Sequence, residues 1–303
     1  MLVVATASLP IDLAAQVRAA LPDARVEVPA AGWAGLAALD LADADALVCL
    51  LLDRVDARVL ARAPRLRVIA NCAVGVDNID LAAAAQAGIV VTNTPDVLTE
   101  ATAELAIALL FAAARRLGEG ERLVRGGDWP GWRPDQLLGM QLAGKTLGII
   151  GPGRIGQAVA RRAAALGMRV IAARAGEPLD PIFAAADAIS LHCPLTPATR
   201  HLVDARRLAL MRPGGILVNT ARGGCVDEEA LAAALASGHL AGAGLDVYAD
   251  EPAIHPRLLA SPRAVLAPHL GSATTEARTQ MAQLCADAVI AVLTGRRPAN
   301  VVR

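Results

Sequence analysis

The stretch Thr146-Leu147-Gly148-Ile149-Ile150-Gly151-Pro152-Gly153-Arg154-Ile155-Gly156 decides the reading of this chain. An apolar strand enters a Gly-x-Gly-x-x-Gly loop, and a helix-forming segment, Gln157 to Leu166, follows without a break. Gly151 permits the tight turn, Gly153 admits a pyrophosphate to the backbone, and Gly156 lets helix and strand pack closely. Amides at the helix start then face the phosphate charge. Gly167 closes the helix, and a second strand, Arg169 to Ala173, comes next. A glycine triplet alone would serve any turn. The βαβ setting makes this one a dinucleotide site.

The end of the second strand separates one cofactor from another. An acid about 20 residues beyond the glycines accepts from the ribose 2′-hydroxyl of NAD. Arg174 stands there instead, and no acid precedes Glu177. A guanidinium cannot accept from a hydroxyl, but it binds a 2′-phosphate through paired donors and stacks on adenine. The sequence therefore predicts NADP(H), with NAD(H) as the alternative if Arg174 is only a solvated surface residue.

Composition narrows the class. A chain of 303 residues is long enough for two domains with a sizeable core, and 55% hydrophobic residues argue against disorder. Its 29 basic and 29 acidic residues leave no net field to attract nucleic acid or an anionic membrane. Cys49, Cys72, Cys193, Cys225 and Cys285 show no metal-ligand spacing, so no metal is expected. Reduced, mostly buried thiols of a cytoplasmic protein explain them. The N-terminus lacks the basic region of a signal peptide. The longest apolar helix candidate, Ala101 to Ala114, is interrupted by Glu104 and too short to span a bilayer.

Short apolar runs alternate with alanine-rich helical segments, the pattern of parallel sheets covered on both faces. Strands are expected at Leu2–Thr6, Arg25–Val28, Ala46–Leu51, Val68–Asn71 and Ile89–Thr92, with helices at Ile11–Ala20 and Asp80–Ala87. A long helix, Thr99 to Arg116, reads as a connector. Beyond the glycine loop, strands are expected at Ala188–Cys193, Ile216–Asn219, Gly242–Val247 and Ala264–Ala267, and a last helix at about Thr275 to Thr294. The expected fold is α/β with two doubly wound parallel-sheet domains. One is a Rossmann dinucleotide-binding domain, residues 95–274. The other is a flavodoxin-like substrate domain, residues 1–94, completed by the C-terminal helix 275–303.

Ligands bind beyond the carboxyl ends of such strands. Arg222 follows one strand, Glu251 lies in the loop after Leu245-Asp246-Val247, and His269 closes another strand. Reducing a 2-keto acid wants this set. A histidine donates a proton near neutral pH, a carboxylate beside it favours imidazolium, and an arginine offsets charge on the carbonyl oxygen. Duller readings exist for each. Arg222 could pair with Asp227 or Glu228, Glu251 could be a plain loop acid, and His269 could resemble His201, His239 and His255 in loops or helix ends. His192 reads as a satisfied strand residue.

From Asn71 to Val301 the sequence resembles the D-isomer-specific 2-hydroxyacid dehydrogenases, and among them the glyoxylate/hydroxypyruvate reductases. The matching stretches are residues 74–80, 93–104, the glycine loop, Asn219-Thr220-Ala221-Arg222-Gly223, Gly244 to Pro252, and Pro268-His269-Leu270-Gly271-Ser272-Ala273-Thr274. The resemblance implies that Arg222 binds substrate, Glu251 orients and charges His269, and His269 donates the proton. It implies substrate-carboxylate binding by the amides of Val74 and Gly75. Cofactor roles fall to Gly151, Gly153, Arg154, Ile155, Gly156, Arg174, Pro194, Thr220, Asp246 and Gly271. Trp129-Pro130-Gly131-Trp132-Arg133-Pro134 resembles a segment in which a tryptophan reaches the neighbouring subunit's site, which makes Trp132 a substrate-contact candidate in a homodimer. A tryptophan packed at a dimer seam is the alternative. Pro152 departs from the family pattern and removes an N–H from the loop.

The expected activity is NADPH-dependent reduction of glyoxylate or hydroxypyruvate, small 2-keto acids, without nucleic-acid or membrane partners. Alternatives are a dehydrogenase of a bulkier D-2-hydroxy acid using NAD(H), and a non-catalytic dinucleotide-sensing scaffold of the same fold. Phosphoglycerate dehydrogenase is disfavoured, because no sequence follows Arg303 for a regulatory domain.

Overall fold

The alternation read from the sequence becomes two sheets, each made of parallel strands. The computed structural model describes residues 1–29, 35–174 and 176–302. Arg303, the last residue of the expected substrate domain, lies outside the described residues. In chain order the first elements are β1 (Leu2–Ala5), α1 (Leu13–Ala20), β2 (Arg25–Glu27), β3 (Ala46–Cys49), α2 (Ala57–Ala61), β4 (Val68–Asn71), α3 (Leu81–Gln86) and β5 (Val90–Thr92). Next come α4 (Thr99–Ala114), α5 (Leu117–Arg125), β6 (Thr146–Ile150), α6 (Arg154–Ala165), β7 (Arg169–Ala173), α7 (Asp180–Ala185) and β8 (Ala188–Leu191). The rest are α8 (Ala205–Leu210), β9 (Gly215–Asn219), α9 (Glu228–Ala236), β10 (Leu240–Leu245), α10 (Pro256–Leu259), β11 (Ala264–Leu266) and α11 (Thr275–Leu293).

The chain divides into two compact units, Met1–Leu98 with Ala273–Arg303, and Thr99–Ser272. In the first unit the sheet order is β2-β1-β3-β4-β5, the flavodoxin-like order. Strands β1, β3 and β4 are buried at every position, as a sheet covered on both faces requires. Asp12, Asp56 and Asp80 start α1, α2 and α3 by accepting first-turn amides. Helix α11 packs on α1, β3, β4 and β5, so the end of the chain completes this unit's core.

The second sheet runs β11-β10-β9-β8-β6-β7. Its order reverses between β6 and β8, and ligands bind at such a switch point. One departure from the usual dinucleotide fold is visible: β7 is the edge strand, where that fold carries one more strand outside. Successive side chains of these strands feed opposite layers. Leu147, Ile149, Ile216 and Val218 pack with α4 and α6, whereas Ile150, Ile189, Leu191 and Leu217 pack around Phe183 and Leu231.

Two sequence expectations need correction. Helix α4 is more than a connector: it packs on α6, β9, β10 and β11 as part of the second unit's core. Its exposed stripe is narrow, Glu100, Glu104 and Ala108 at four-residue spacing, and most of the remaining circumference is buried or half-buried. It also ends at Ala114 rather than Arg116, because Arg116 turns left-handed at φ 52° and leads into α5, a helix the sequence reading does not place.

Phe183 is fully buried in the layer beneath β6 and β8. Its replacement by alanine is expected to cost about 3–5 kcal/mol. Urea unfolding measures this, and an unchanged midpoint would contradict the packing described.

Candidate active site

The glycine loop forms one wall of a cavity of about 540 Å³, lined by Gly151, Pro152, Gly153, Arg154, Gln157, Arg174, His192, Cys193 and Pro194. Two glycines explain its shape. A Cβ on Gly151 would stand 2.8 Å from the Cys193 nitrogen, and one on Gly156 would stand 2.4 Å from the Gly151 oxygen, so any larger residue would force the loop off β8 or α6. A Cβ on Gly153 would meet no atom within 4 Å. That open position is the N-cap of α6, and no side chain caps the helix. First-turn amides of a helix lack intrahelical partners, so this end is suited to an anion. Pro152 gives up an N–H, while its carbonyl accepts from Gln157 Nε2 at 3.0 Å.

Arg174 follows β7 and lines the cavity, and its guanidinium pairs with no acid among the described residues. His192 corrects the sequence reading. It sits in the loop after β8, its Nε2 meets Ser190 Oγ at 2.8 Å, and its buried Nδ1 has no hydrogen-bond partner among the described residues. Thr220 likewise carries a buried hydroxyl without a hydrogen-bond partner among the described residues. An uncapped helix end, an open glycine, an unpaired guanidinium and an unused polar atom on the wall fit a dinucleotide.

The second cluster lies beyond β9, β10 and β11 of the same sheet. His269 Nδ1 is 2.8 Å from Glu251 Oε2, and Glu251 Oε1 accepts the Tyr248 amide at 2.9 Å. Burial pushes the Glu251 carboxyl up, but the His269 and Tyr248 hydrogen bonds and the charges of His269 and Arg222 outweigh it and hold it below its ordinary value. An ionised carboxylate only accepts, so Nδ1 carries the hydrogen and Nε2 points elsewhere. Tyr248 is fixed in turn, its hydroxyl donating to the Ala267 carbonyl at 2.9 Å.

Asp246 organises the turn that carries the histidine. Its backbone oxygen accepts from His269 N at 3.0 Å, Oδ1 from Leu270 N at 2.6 Å, and Oδ2 from Gly271 N at 2.8 Å. His269 adopts φ 54°, a left-handed conformation uncommon for a residue with a side chain, and these bonds hold it there. Burial lifts the Asp246 carboxyl above its ordinary value despite the amides and the nearby His269 charge. Thr102 closes the turn from α4, donating to the Gly271 carbonyl at 2.9 Å.

Arg222 enters the cluster on a loop locked against residue 248. A Cβ on Gly223 would lie 1.8 Å from the Tyr248 carbonyl carbon, so only glycine allows the approach. Asn219 holds the loop from inside, donating to Arg222 O and accepting from Ala221 N. Of the rival partners, Asp227 caps α9 through the Ala230 amide and Glu228 accepts the Ala249 amide. Arg222 Nη1 donates to the Ala221 carbonyl at 2.8 Å, and the guanidinium charge reaches Glu251.

The remaining candidates are Trp132, Val74 and Gly75. Trp132 is 81% exposed in the stretch after α5. Val74 and Gly75 belong to the first unit, in the loop after β4. There the side chains of Asn93 and Asn71 each donate to their carbonyls at 2.8 Å, and the two amides donate to no described residue. Sequence reasoning missed Tyr248, Asn219 and Thr102. It also missed that Asp246 acts through backbone amides. Nothing in residue type announces such contacts.

A cavity fitted to a dinucleotide and a sheet edge carrying histidine, glutamate and arginine define a nicotinamide-dependent oxidoreductase. The family model of the D-isomer specific 2-hydroxyacid dehydrogenase NAD binding domain matches residues 107–271. The chain is 49% identical over 277 residues to a glyoxylate reductase of Thermococcus litoralis, covering 86% of this chain and 84% of that protein. The TT0316 protein of Thermus thermophilus superimposes with a TM-score of 0.93 at 46% identity, with both chains covered in full. An NADPH-dependent glyoxylate/hydroxypyruvate reductase from Sinorhizobium meliloti, solved with NADP and malonate, gives 0.86 at 34% identity over 99% of this chain and 96% of that one. The chain belongs to the D-isomer-specific 2-hydroxyacid dehydrogenases, and it is an NAD(P)-dependent enzyme acting on the 2-keto acid/2-hydroxy acid couple. No helix among the described residues is long and apolar enough to cross a membrane.

His192 gives a pH test of the cavity wall. Burial drives its pKa from 6.5 down to about 4. Between those values the unfolded chain binds a proton that the folded chain refuses, so stability falls as pH drops through that window. A His192→Asn variant is expected to lose this part of the acid destabilisation. Thermal midpoints of both proteins from neutral pH downward decide it, and parallel curves would remove His192 from the account.

Proposed function

We propose that the protein reduces glyoxylate or hydroxypyruvate to the corresponding 2-hydroxy acid, with NADPH as the preferred reductant and His269 as the proton donor. The observation that carries this reading is the 2.8 Å contact between His269 Nδ1 and Glu251, which leaves Nε2 to carry a transferable proton. The bound dinucleotide supplies the hydride. Glu251 keeps Nδ1–H aligned, and Nε2 hands its proton to the carbonyl oxygen as charge develops there. Arg222 offsets the same charge and grips the substrate through a planar two-donor face, which a lysine cannot reproduce. Val74 and Gly75 contribute amides for the substrate carboxylate. Asp246 fixes the histidine turn.

Cofactor roles follow the cavity. Arg154 and Ile155 offer helix-start amides, Gly151, Gly153 and Gly156 shape the loop, and Pro194, Thr220 and Gly271 flank the remaining portions. The preference for NADPH is supported by Arg174, a cavity-lining cation unpaired by any acid among the described residues. The similar reductase from Sinorhizobium meliloti is NADPH-dependent. The reading includes a homodimer. Helix α5 buries no residue, and Leu117, Val124, Trp129, Trp132 and Leu138, in it and in the stretch that follows, are each exposed, large apolar side chains that a second copy would cover.

The test is NADPH oxidation with glyoxylate and hydroxypyruvate. His269→Ala is expected to lower turnover by about 10²–10⁴ with dinucleotide affinity nearly unchanged. A wild-type rate would take His269 out of the chemistry.

A further inference from the structure

The acid missing from the end of β7 is replaced by one that folds back onto it. Glu177 Oε2 accepts the Arg174 amide at 2.7 Å, a charge-assisted bond. The Glu177 amide donates to the Arg174 carbonyl at 3.0 Å, so the glutamate is tied to the strand end at both of its own ends. Arg174 lines the dinucleotide cavity. Its amide and its guanidinium are therefore two donors at one place, and only the amide is engaged by a described acid.

We propose that Glu177 sets the ratio in which the protein takes phosphorylated and unphosphorylated dinucleotides, because its carboxylate occupies the Arg174 amide and brings a negative charge to the 2′ position. The proposal rests on the assignment of Arg174 to a 2′-phosphate made above. A phosphate arriving at Arg174 must displace this carboxylate or lie beside it, and like charges at a few ångströms repel strongly. A ribose hydroxyl meets no such penalty. It donates to the carboxylate, which stays on the amide. Guanidinium and carboxylate thus pull the selectivity in opposite directions. Edge position makes this arrangement open, since no strand among the described residues lies outside β7.

The duller role is turn closure alone. Glu177→Gln separates the two, because the amide oxygen still accepts from Arg174 while the charge is gone. Both side chains are exposed, so neither variant disturbs the core. Dissociation constants of NADPH and NADH are measured by nucleotide fluorescence for the wild type, Glu177→Gln and Arg174→Gln. In Glu177→Gln, NADPH is expected to bind about tenfold tighter with NADH unchanged or weaker, and the gain should shrink as salt is added. Arg174→Gln is expected to weaken NADPH selectively. If it does, and Glu177→Gln leaves the NADPH/NADH ratio unchanged at all salt concentrations, the Glu177 proposal is overturned and the cofactor reading stands. If Arg174→Gln leaves NADPH binding unchanged, the cofactor reading itself fails.

Discussion

Three successive backbone amides, at 269, 270 and 271, all donate to Asp246. This single buried acid converts the end of β11 into a tight left-handed turn and aims the imidazole of His269 at Glu251. Without it the histidine would have to hold φ 54° unaided, a conformation that costs about 1–3 kcal/mol for a residue with a side chain. A carboxylate with burial against it would ordinarily be a liability. Here two of the amides go to its own oxygens, which is how a buried acid is made tolerable.

The rest of the site depends on how the sheet delivers its loops. Parallel strands all point their carboxyl ends the same way, so the loops after β9, β10 and β11 emerge side by side. Arg222, Glu251 and His269 are thereby neighbours despite their separation along the chain. Small residues complete the fit. Gly223 lets the arginine loop sit on the Tyr248 backbone, and Tyr248 in turn hydrogen-bonds the strand beneath His269. Polar atoms that look incidental in sequence, such as Asn219 and Thr102, bind loop to strand and helix to loop.

Periodicity made the strands and most helices readable, because full burial of a parallel strand leaves an unbroken apolar run. The glycine loop was readable for the same kind of reason: Gly151 and Gly156 stand where backbone meets backbone, and only one residue type fits. The candidate chemistry was readable from residue type at strand ends. What escaped was long-range or purely geometric. Helix α5 carries Gly118 and Gly120, which lower its helix propensity, and it buries nothing. The role of α4 depends on which faces its neighbours cover, which composition does not state. His192 looked satisfied because a strand residue usually is, yet it stands just past the strand with one nitrogen unused. The edge position of β7 follows from the short segment between Arg174 and α7, a property of length, and no motif marks it.

The central claim is the proposal that the Glu251 carboxylate, held below its ordinary range by the His269 and Tyr248 hydrogen bonds against the pull of burial, aligns the His269 imidazole for proton donation. The most direct measurement is the pH dependence of turnover in Glu251→Gln beside the wild type. Removing the negative charge while keeping the shape should lower turnover by about 10²-fold across the whole profile, because the imidazole loses the partner that aligns it. Superimposable profiles, with equal limits and equal plateaus, would contradict the claim.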